Sequence, residues 1–322
     1  MKTVLICGAS GFIGHHLVKR YKKEGYWVRG VGTKPPLYEK SPADEFLLAD
    51  LRDPNALEAV FQAPSFYEGF DEMCQCAAMI GGAQFIASHG AQILHDSTLI
   101  HLNLLEMCRK RGIRKILYPS SACVYPMPTS SASFSSKYKE SSVYPANPYT
   151  EYGWEKIFGE RLSLAYQQKH GLDIRIARLF SVFGPLSPWD GGKEKAPSAL
   201  CRKIILASEG DFIEVFGSGQ QKRAFLSIED CIEGLWRMMQ APHPLPILNL
   251  GSETQISMNE LALFIADIAE KKIQIKNTGS QIGFHEMTSD NELLYQTLHW
   301  RPKENMRESL EELYFWIESK LK

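Results

Sequence analysis

The segment GASGFIG, residues 8–14, follows the short apolar run TVLIC (3–7) and leads into Leu17, Val18 and Tyr21 at helical spacing. Few arrangements satisfy that order. A β-branched apolar run suits a strand, glycines suit a tight turn, and apolar residues three and four apart suit one face of a helix. Gly8, Gly11 and Gly14 stand at GxxGxxG spacing between the two elements, with Ser10, Phe12 and Ile13 completing the turn and the helix start. The first glycine of such a turn permits a sharp reversal, the second lets backbone approach a pyrophosphate, and the third lets helix pack on strand. The helix N-terminus then offers unpaired N–H groups and a positive dipole end to phosphate. Bare glycine spacing also occurs in plain turns. Its place between strand and helix is what points to a dinucleotide.

The rest of the chain repeats that alternation. GYWVRGVG (25–32), EFLLAD (45–50), DEMCQCAA (71–78), IRKILYP (113–119) and LDIRIARL (172–179) read as strands. Residues 56–61, 85–111 and 149–169 carry helical patterns. Strands alternating with helices predict an α/β fold, a Rossmann-type doubly wound parallel sheet with helices on both faces. The stretch 130–148, rich in serine, reads as a polar loop, and after residue 180 shorter elements mix with Pro, Gly and Trp. A chain of 322 residues suits about two domains. We expect a dinucleotide-binding unit over 1–178, with a segment near 225–250 returning to it. Residues 179–224 and 251–322 would form a smaller composite α/β substrate unit.

Composition removes several classes. The net charge is −1 and no basic arm is present, which argues against nucleic acid and anionic membrane as partners. TVLIC is too short for a signal sequence, and no apolar run approaches the ~20 residues that span a bilayer. Seven cysteines without CxxC pairs or metal-ligand spacing read as free thiols in a reducing cytosol, with no metal site. The expected setting is cytoplasmic.

Two places carry chemistry. At the end of the second strand, where a carboxylate ordinarily holds the adenosine ribose 2′-OH, the chain reads Gly30-Val31-Gly32-Thr33-Lys34. Lys34 either meets a 2′-phosphate or is solvated, so NAD is the expected cofactor with NADP left open. Asp50, followed by Leu51, either accepts from the adenine amino group or is a solvated strand end. Tyr152 and Lys156 in EYGWEK are four apart on a helix and share a face. An ammonium beside a phenol favours phenolate, which can take a sugar hydroxyl proton as hydride leaves for nicotinamide. Pairs at this spacing are common on helices; behind a glycine turn and a parallel-sheet pattern the catalytic reading prevails.

GASGFIG, the small SSA closing the fifth strand (120–122) and the YxxxK pair together resemble the extended short-chain dehydrogenase/reductase family of nucleotide-sugar enzymes. FGSGQQKRAFLSIEDCIEGL (216–235) is similar to that family's substrate motif and implies that Arg223 faces the sugar nucleotide. AAMIGGAQFI (77–86), SSACVYP (120–126), GGKEKAPSALCRK (191–203) and SDNELLYQTLHWRP (289–302) narrow the resemblance to its GDP-sugar epimerases, over about residues 3–318.

That resemblance implies NAD at Ala77 and Ala78 as well as at the glycine turn. It also implies GDP-mannose or a related GDP-sugar at Gly81, Gly82, Ser121, Ala122, Glu194, Ala196 and Lys203, and a homodimer paired through the helices at 85–111 and 149–169. It implies proton exchange with the sugar by Cys123 and Lys195. Without the resemblance, Cys123 would read as a small buried residue and Lys195 as a solvated loop lysine. The chemistry is coherent: oxidising C4 acidifies the hydrogens at C3 and C5, and inversion at either needs a base on one face and an acid on the other. A thiol near pKa ~8.5 serves as base where a cation favours thiolate.

Departures exist. Ser181 stands for the family's asparagine, and His285, Glu286 and Met287 stand where it carries arginine, which implies a weaker hold on the pyrophosphate. A 4,6-dehydratase of the family would need an acidic pair where Cys123-Val124 stand. An epimerase–reductase of the fucose-synthase type shares the cysteine but uses a histidine acid, and GGKEKAP argues against it. A cofactor-binding sensor without turnover has no need of the Tyr152/Lys156 pair retained here.

Overall fold

The computed structural model describes residues 1–127, 137–279 and 286–322. The chain begins β1 (Thr3–Cys7), α1 (Phe12–Lys23), β2 (Trp27–Gly32), β3 (Glu45–Leu48), α2 (Pro54–Phe61) and β4 (Glu72–Gln75). It continues α3 (Ala83–Ser88), α4 (Gly90–Arg111), β5 (Lys115–Ser121), β6 (Lys137–Tyr138), α5 (Glu151–His170), β7 (Asp173–Leu179) and β8 (Val182–Phe183). Then come α6 (Ala196–Leu206), β9 (Phe212–Phe216), β10 (Lys222–Ala224), β11 (Leu226–Ser227), α7 (Ile228–Gln240) and β12 (Leu248–Leu250). Last are β13 (Gln255–Ser257), α8 (Met258–Ile268), β14 (Gln274–Thr278), β15 (Glu286–Ser289), α9 (Glu292–Leu298) and α10 (Met306–Leu321).

Seven strands pair in the order β12-β7-β5-β4-β1-β2-β3, all parallel. β1 is buried at every position, as a central parallel strand covered on both faces must be. One apolar cluster on the sheet gathers Leu17, Val18 and Tyr21 of α1 with Leu235 and Met238 of α7. A second gathers Leu57 and Val60 of α2 with Leu104 and Leu105 of α4. A third, away from the large sheet, joins α6, α8 and α10. The order reverses at β1, which lies between β2 and β4. Ligands of open α/β sheets bind outside the strand ends at such a reversal.

Two readings need correction. The helix expected over 85–111 is two helices, α3 and α4, broken at His89 (φ −122°, ψ 24°). The Ser88 hydroxyl donates back to the Gln84 carbonyl (2.9 Å) and the His89 ring stacks on Phe85 at 4.2 Å, so side chains compete with the helical path there. The polar stretch 130–148 contains β6, which pairs parallel with β15 through Thr288 and Ser289. That pairing is tertiary and leaves no periodic trace. Residues 130–136 of that stretch, and His285, lie outside the described residues.

Candidate active site

Gly8 ends β1 with φ +82°, in the left-handed region, and a β-carbon on it would lie 2.5 Å from the Ala77 nitrogen. The ends of β1 and β4 therefore touch at the reversal. Gly8 and Ala9 N–H groups both donate to the Val31 carbonyl (2.8 Å), fixing the turn on β2. A β-carbon on Gly14 would strike the Gly8 carbonyl, so helix and turn pack at backbone contact. Gly11 is the N-cap of α1. No side chain caps that helix, its first turn holds no acid, and a β-carbon on Gly11 would meet only the Gly8 oxygen, at 3.3 Å. Unclaimed N–H donors behind an open glycine fit the pyrophosphate of NAD. Ser10, Phe12 and Ile13 flank this cradle.

At the end of β2, Gly32 is backed by Ser10, whose hydroxyl occupies the space a β-carbon would take. Thr33 and Lys34 lie exposed beyond it. Asp50 is engaged by Arg52, whose Nη2 donates at 2.6 Å and Nε at 3.0 Å, and these bonds hold the carboxyl below its usual range. Arg52 also donates to Asp96 (2.8 Å). Sequence reading did not single out Arg52; its signal was only its place two residues after Asp50. Leu51 is buried there, and Ala77 and Ala78 lie half-buried past β4.

β5 and α5 present the groups that the sequence marks as candidates for reaction. The Ser121 hydroxyl accepts from the Cys123 N–H (3.1 Å), starting the single 3₁₀ turn Ala122–Val124 that carries the thiol. Thr150 caps α5, its hydroxyl accepting from the Gly153 N–H (3.3 Å). Lys156 stands 5.7 Å from the Tyr152 ring, 4.8 Å from the Tyr118 ring, and donates to the Tyr118 hydroxyl at 3.4 Å. Burial pushes the Tyr152 phenol up, and Cys123 and Glu155 add to this while the Ser121 hydroxyl opposes it. Behind the pair, Arg178 of β7 donates to Glu160 of α5 (2.7 and 2.9 Å), which accepts from Ser120 of β5 (2.6 Å). All three are buried, which fixes helix against sheet. None of them was singled out from sequence, because nothing in their spacing distinguishes them.

Cys123 was expected beside a cation favouring thiolate. Lys195, Arg223 and Lys156 do act on it in that direction, yet burial outweighs them and raises the thiol. Burial likewise lowers the Lys195 ammonium, against the pull of Cys123 and Cys231. Lys195 keeps exposed surface and Cys123, Tyr152 and Arg223 are half-buried. The Cys123 thiol lies within electrostatic reach of the other three, and each of the four keeps some solvent-accessible surface.

Two loops meet beside Lys195. The Gly82 N–H donates to the Lys193 carbonyl (3.1 Å), and a β-carbon on Gly82 would lie 2.5 Å from the Glu194 carbonyl oxygen. The same point on Gly81 would lie 2.7 Å from Phe85. Glu194 accepts from the Gly192 N–H (2.7 Å) and from Arg202 (3.3 Å), shaping the turn that sets Lys195 as N-cap of α6, with Ala196 following. Arg223 on β10 lies in register with Met287 on β15, which is buried beside Tyr125, Tyr138 and Phe180. Ser181 adopts φ +28°. Lys203 donates to the Glu214 carbonyl of β9 (2.7 Å) rather than to any of these groups. Among the described residues, no cluster of three or more His, Cys, Asp or Glu side chains could hold a metal, and no helix is long and apolar enough to cross a membrane.

A seven-stranded parallel sheet, an open glycine cradle at its reversal and a Tyr/Lys pair on the adjoining helix define a nicotinamide-dependent enzyme of the short-chain type. The chain belongs to the NAD dependent epimerase/dehydratase family, whose model matches residues 4–251. It is 36% identical over 320 residues to GDP-mannose 3,5-epimerase of Arabidopsis thaliana, covering 99% of this chain and 82% of that one. Identity to GDP-mannose 3,5-epimerase 1 of Oryza sativa subsp. japonica is 35% over 321 residues, with the same coverage. In structure it is similar to UDP-glucose 4-epimerase of Thermotoga maritima, with TM-score 0.86 at 20% identity over 99% of this chain and 100% of that one. The UDP-glucose 4-epimerase of Thermus thermophilus, solved with NAD, gives TM-score 0.81 at 20% identity over 98% of each chain. Family and fold agree with the sequence reading. The protein is an NAD-dependent epimerase, an isomerase, and NAD is its cofactor.

Proposed function

We propose that this epimerase acts on GDP-mannose or a closely related GDP-sugar, inverting C5, C3 or both to give GDP-L-galactose and/or GDP-L-gulose. The observation that carries this reading is that Cys123 and Lys195 stand within electrostatic reach of each other, with Tyr152 set beside Cys123 by the packing of Gly153 on the Cys123 carbonyl. An enzyme that only transfers hydride at C4 has no use for that pair. Identity to GDP-mannose 3,5-epimerases over nearly the whole chain supports the choice of sugar.

Tyr152, whose phenolate the neighbouring Lys156 ammonium and Ser121 hydroxyl favour against burial, takes the proton of the C4 hydroxyl and later returns it. NAD, held at the glycine turn, would supply a reversible hydride acceptor for C4. While C4 is a carbonyl, the hydrogens at C5 and C3 are acidic enough for a side chain to remove. A raised thiol and a lowered ammonium bring Cys123 and Lys195 toward matched proton affinity. Thiol with amine holds as many protons as thiolate with ammonium, so one internal transfer arms a base and an acid without help from solvent. Cys123 then takes the proton from one face of the ring and Lys195 delivers one to the other. Arg223, Gly81, Gly82, Glu194 and Ala196 hold the sugar nucleotide, with Ser121 and Ala122 against the ring; Lys203, engaged by the Glu214 carbonyl, is left out of that set.

Two copies would pair through α4 and α5, where Leu102, Trp154 and Phe158 leave 36%, 44% and 43% of their surfaces exposed. The test of function is incubation of the purified protein with NAD and GDP-mannose, followed by separation and identification of the products. Inversion of another nucleotide sugar with GDP-mannose untouched would reassign the substrate. Inversion at C4 alone would remove Cys123 and Lys195 from the mechanism.

A further inference from the structure

Glu155 sits between the two residues of the Tyr/Lys pair and is 1% exposed. Neighbouring positions on a helix point about 100° apart and do not ordinarily face one another. Here the Glu155 and Lys156 side chains both turn to Tyr118. The Tyr118 hydroxyl lies 3.5 Å from Glu155 Oε1, and Oε2 stands 3.6 Å from Lys156 Nζ in an ion pair. Oε2 is buried and has no hydrogen-bond partner among the described residues. A buried carboxylate is costly unless a cation compensates it, and the ammonium beside this one is the lysine of the catalytic pair.

The groups facing Lys156 come from every element around it. α4 supplies His101, whose ring stacks on Tyr118 at 4.2 Å and which burial keeps neutral down to about 3. β5 supplies Tyr118, the segment after β4 supplies Cys76, and the turn after β5 supplies Cys123. α5 itself supplies Tyr152 and Glu155, and its Glu160 acts on the neighbouring Tyr118. Of the two carboxylates, Glu160 is already engaged by Arg178 and Ser120. Glu155 is the negative charge left to act on Lys156.

We infer that Glu155 is a positioning residue for the reaction: with Tyr118 it draws the Lys156 ammonium aside and offsets its charge, and so sets how basic Tyr152 is. The inference rests on the reading of Tyr152 as the group that takes the C4 hydroxyl proton. That residue must also return the proton, and a group doing both works best with its affinity near the working pH. Burial and the Glu155 carboxylate both disfavour the Tyr152 phenolate, while the Ser121 hydroxyl opposes them. The carboxylate beside the pair thus strengthens the hold of Tyr152 on the proton between the two steps.

The experiment compares wild type, Glu155→Gln, Glu155→Met and Glu155→Asp, each saturated with NAD. Tyrosinate absorbance in the near ultraviolet is titrated with pH, and subtracting the matching Tyr152→Phe protein isolates Tyr152. The pH profile of kcat/KM with GDP-mannose is taken in parallel. Both neutral variants should move the Tyr152 ionisation, and the acidic limb of the profile, about one pH unit downward. Glu155→Asp, which keeps the charge, should stay near wild type. Met serves if the Gln protein does not fold. A Tyr152 titration unchanged in the neutral variants overturns the inference and leaves Glu155 a packing residue. A shifted titration without turnover of GDP-mannose would sink the substrate assignment instead, and leave the role of Glu155 standing.

Discussion

A β-carbon on Gly153 would run into the Cys123 carbonyl oxygen, so the first turn of α5 lies directly against the turn that carries the thiol. Tyr152 and Cys123 owe their proximity to this contact. Alanine is the better helix former by about 1 kcal/mol, so propensity alone would make Gly153→Ala stabilising. The collision is with backbone and cannot be relieved by a side-chain rotation. We therefore expect Gly153→Ala to push helix and turn apart and lower kcat/KM roughly 10²-fold, the cost of about an ångström of misplacement. Turnover and thermal melting measured together check this. Wild-type turnover with raised stability would show that the turn can move without consequence.

Acidification should weaken the fold in a definite window. Burial holds His101 at about 3 and His16 at about 4, against 6.5 for the free ring. Above the unfolded value both states are neutral and pH has no effect through these groups. As pH falls below that value the unfolded chain takes up protons that the folded chain refuses, and stability is lost. Each histidine contributes a slope of at most ~1.4 kcal/mol per pH unit until its folded value is reached. Urea unfolding at neutral pH and at about pH 5 should show the loss, and His101→Gln should reduce it. A midpoint flat across that range would mean that both rings admit protons in the folded state.

How much of this was legible in the sequence varies with the distance over which each feature is specified. The turn from Gly8 to Gly14 was readable because three glycines, a strand and a helix are contiguous, and the central sheet followed from repeated apolar runs. β6 was not readable, since two residues form a strand only through Thr288 and Ser289, far along the chain. The break at His89 depends on one hydroxyl and one ring stack that periodicity does not register. In the site, Tyr152 and Lys156 share a helix face and could be paired from spacing. Cys123 and Lys195 are 72 residues apart by their numbers. Only family resemblance brought them together before the fold did. Glu155, Arg52 and the Arg178–Glu160–Ser120 network remained hidden because ion pairs leave no pattern in a single sequence.

Cofactor selectivity should follow from Gly32. The place that usually bears the carboxylate for the ribose 2′-OH has no side chain, Ser10 fills the space behind it, and Lys34 is exposed nearby. Gly32 itself brings no charge to repel a 2′-phosphate. We expect NADP affinity within about tenfold of NAD affinity. Gly32→Asp alone would collide with the Ser10 hydroxyl, so the informative protein is Gly32→Asp with Ser10→Gly. It should lose NADP binding and keep NAD. Calorimetric titration of both cofactors into both proteins decides the matter. Wild type that rejects NADP would mean that another group does the work of the missing acid.

The position of exchanged hydrogen tests the proposed chemistry most directly. In the proposed reaction hydride leaves C4 and returns to it, so turnover is redox-neutral and reduced nicotinamide should not accumulate in the steady state. On that proposal only inverted carbons pass their hydrogen through Cys123 and Lys195, both of which keep solvent-accessible surface. In heavy water, deuterium should therefore appear at C5, and at C3 in doubly inverted product, with none at C4. Cys123→Ser keeps the shape of the turn but replaces the thiol by a far weaker acid, so exchange should fall roughly 10²–10⁴-fold. Hydride transfer at C4 should survive, because Tyr152 and Lys156 are untouched. Nuclear magnetic resonance of the recovered sugar nucleotide reads all three carbons in one sample. Deuterium at C4, or wild-type exchange in Cys123→Ser, would return the thiol to what most buried cysteines are, a small residue filling space beside a sheet.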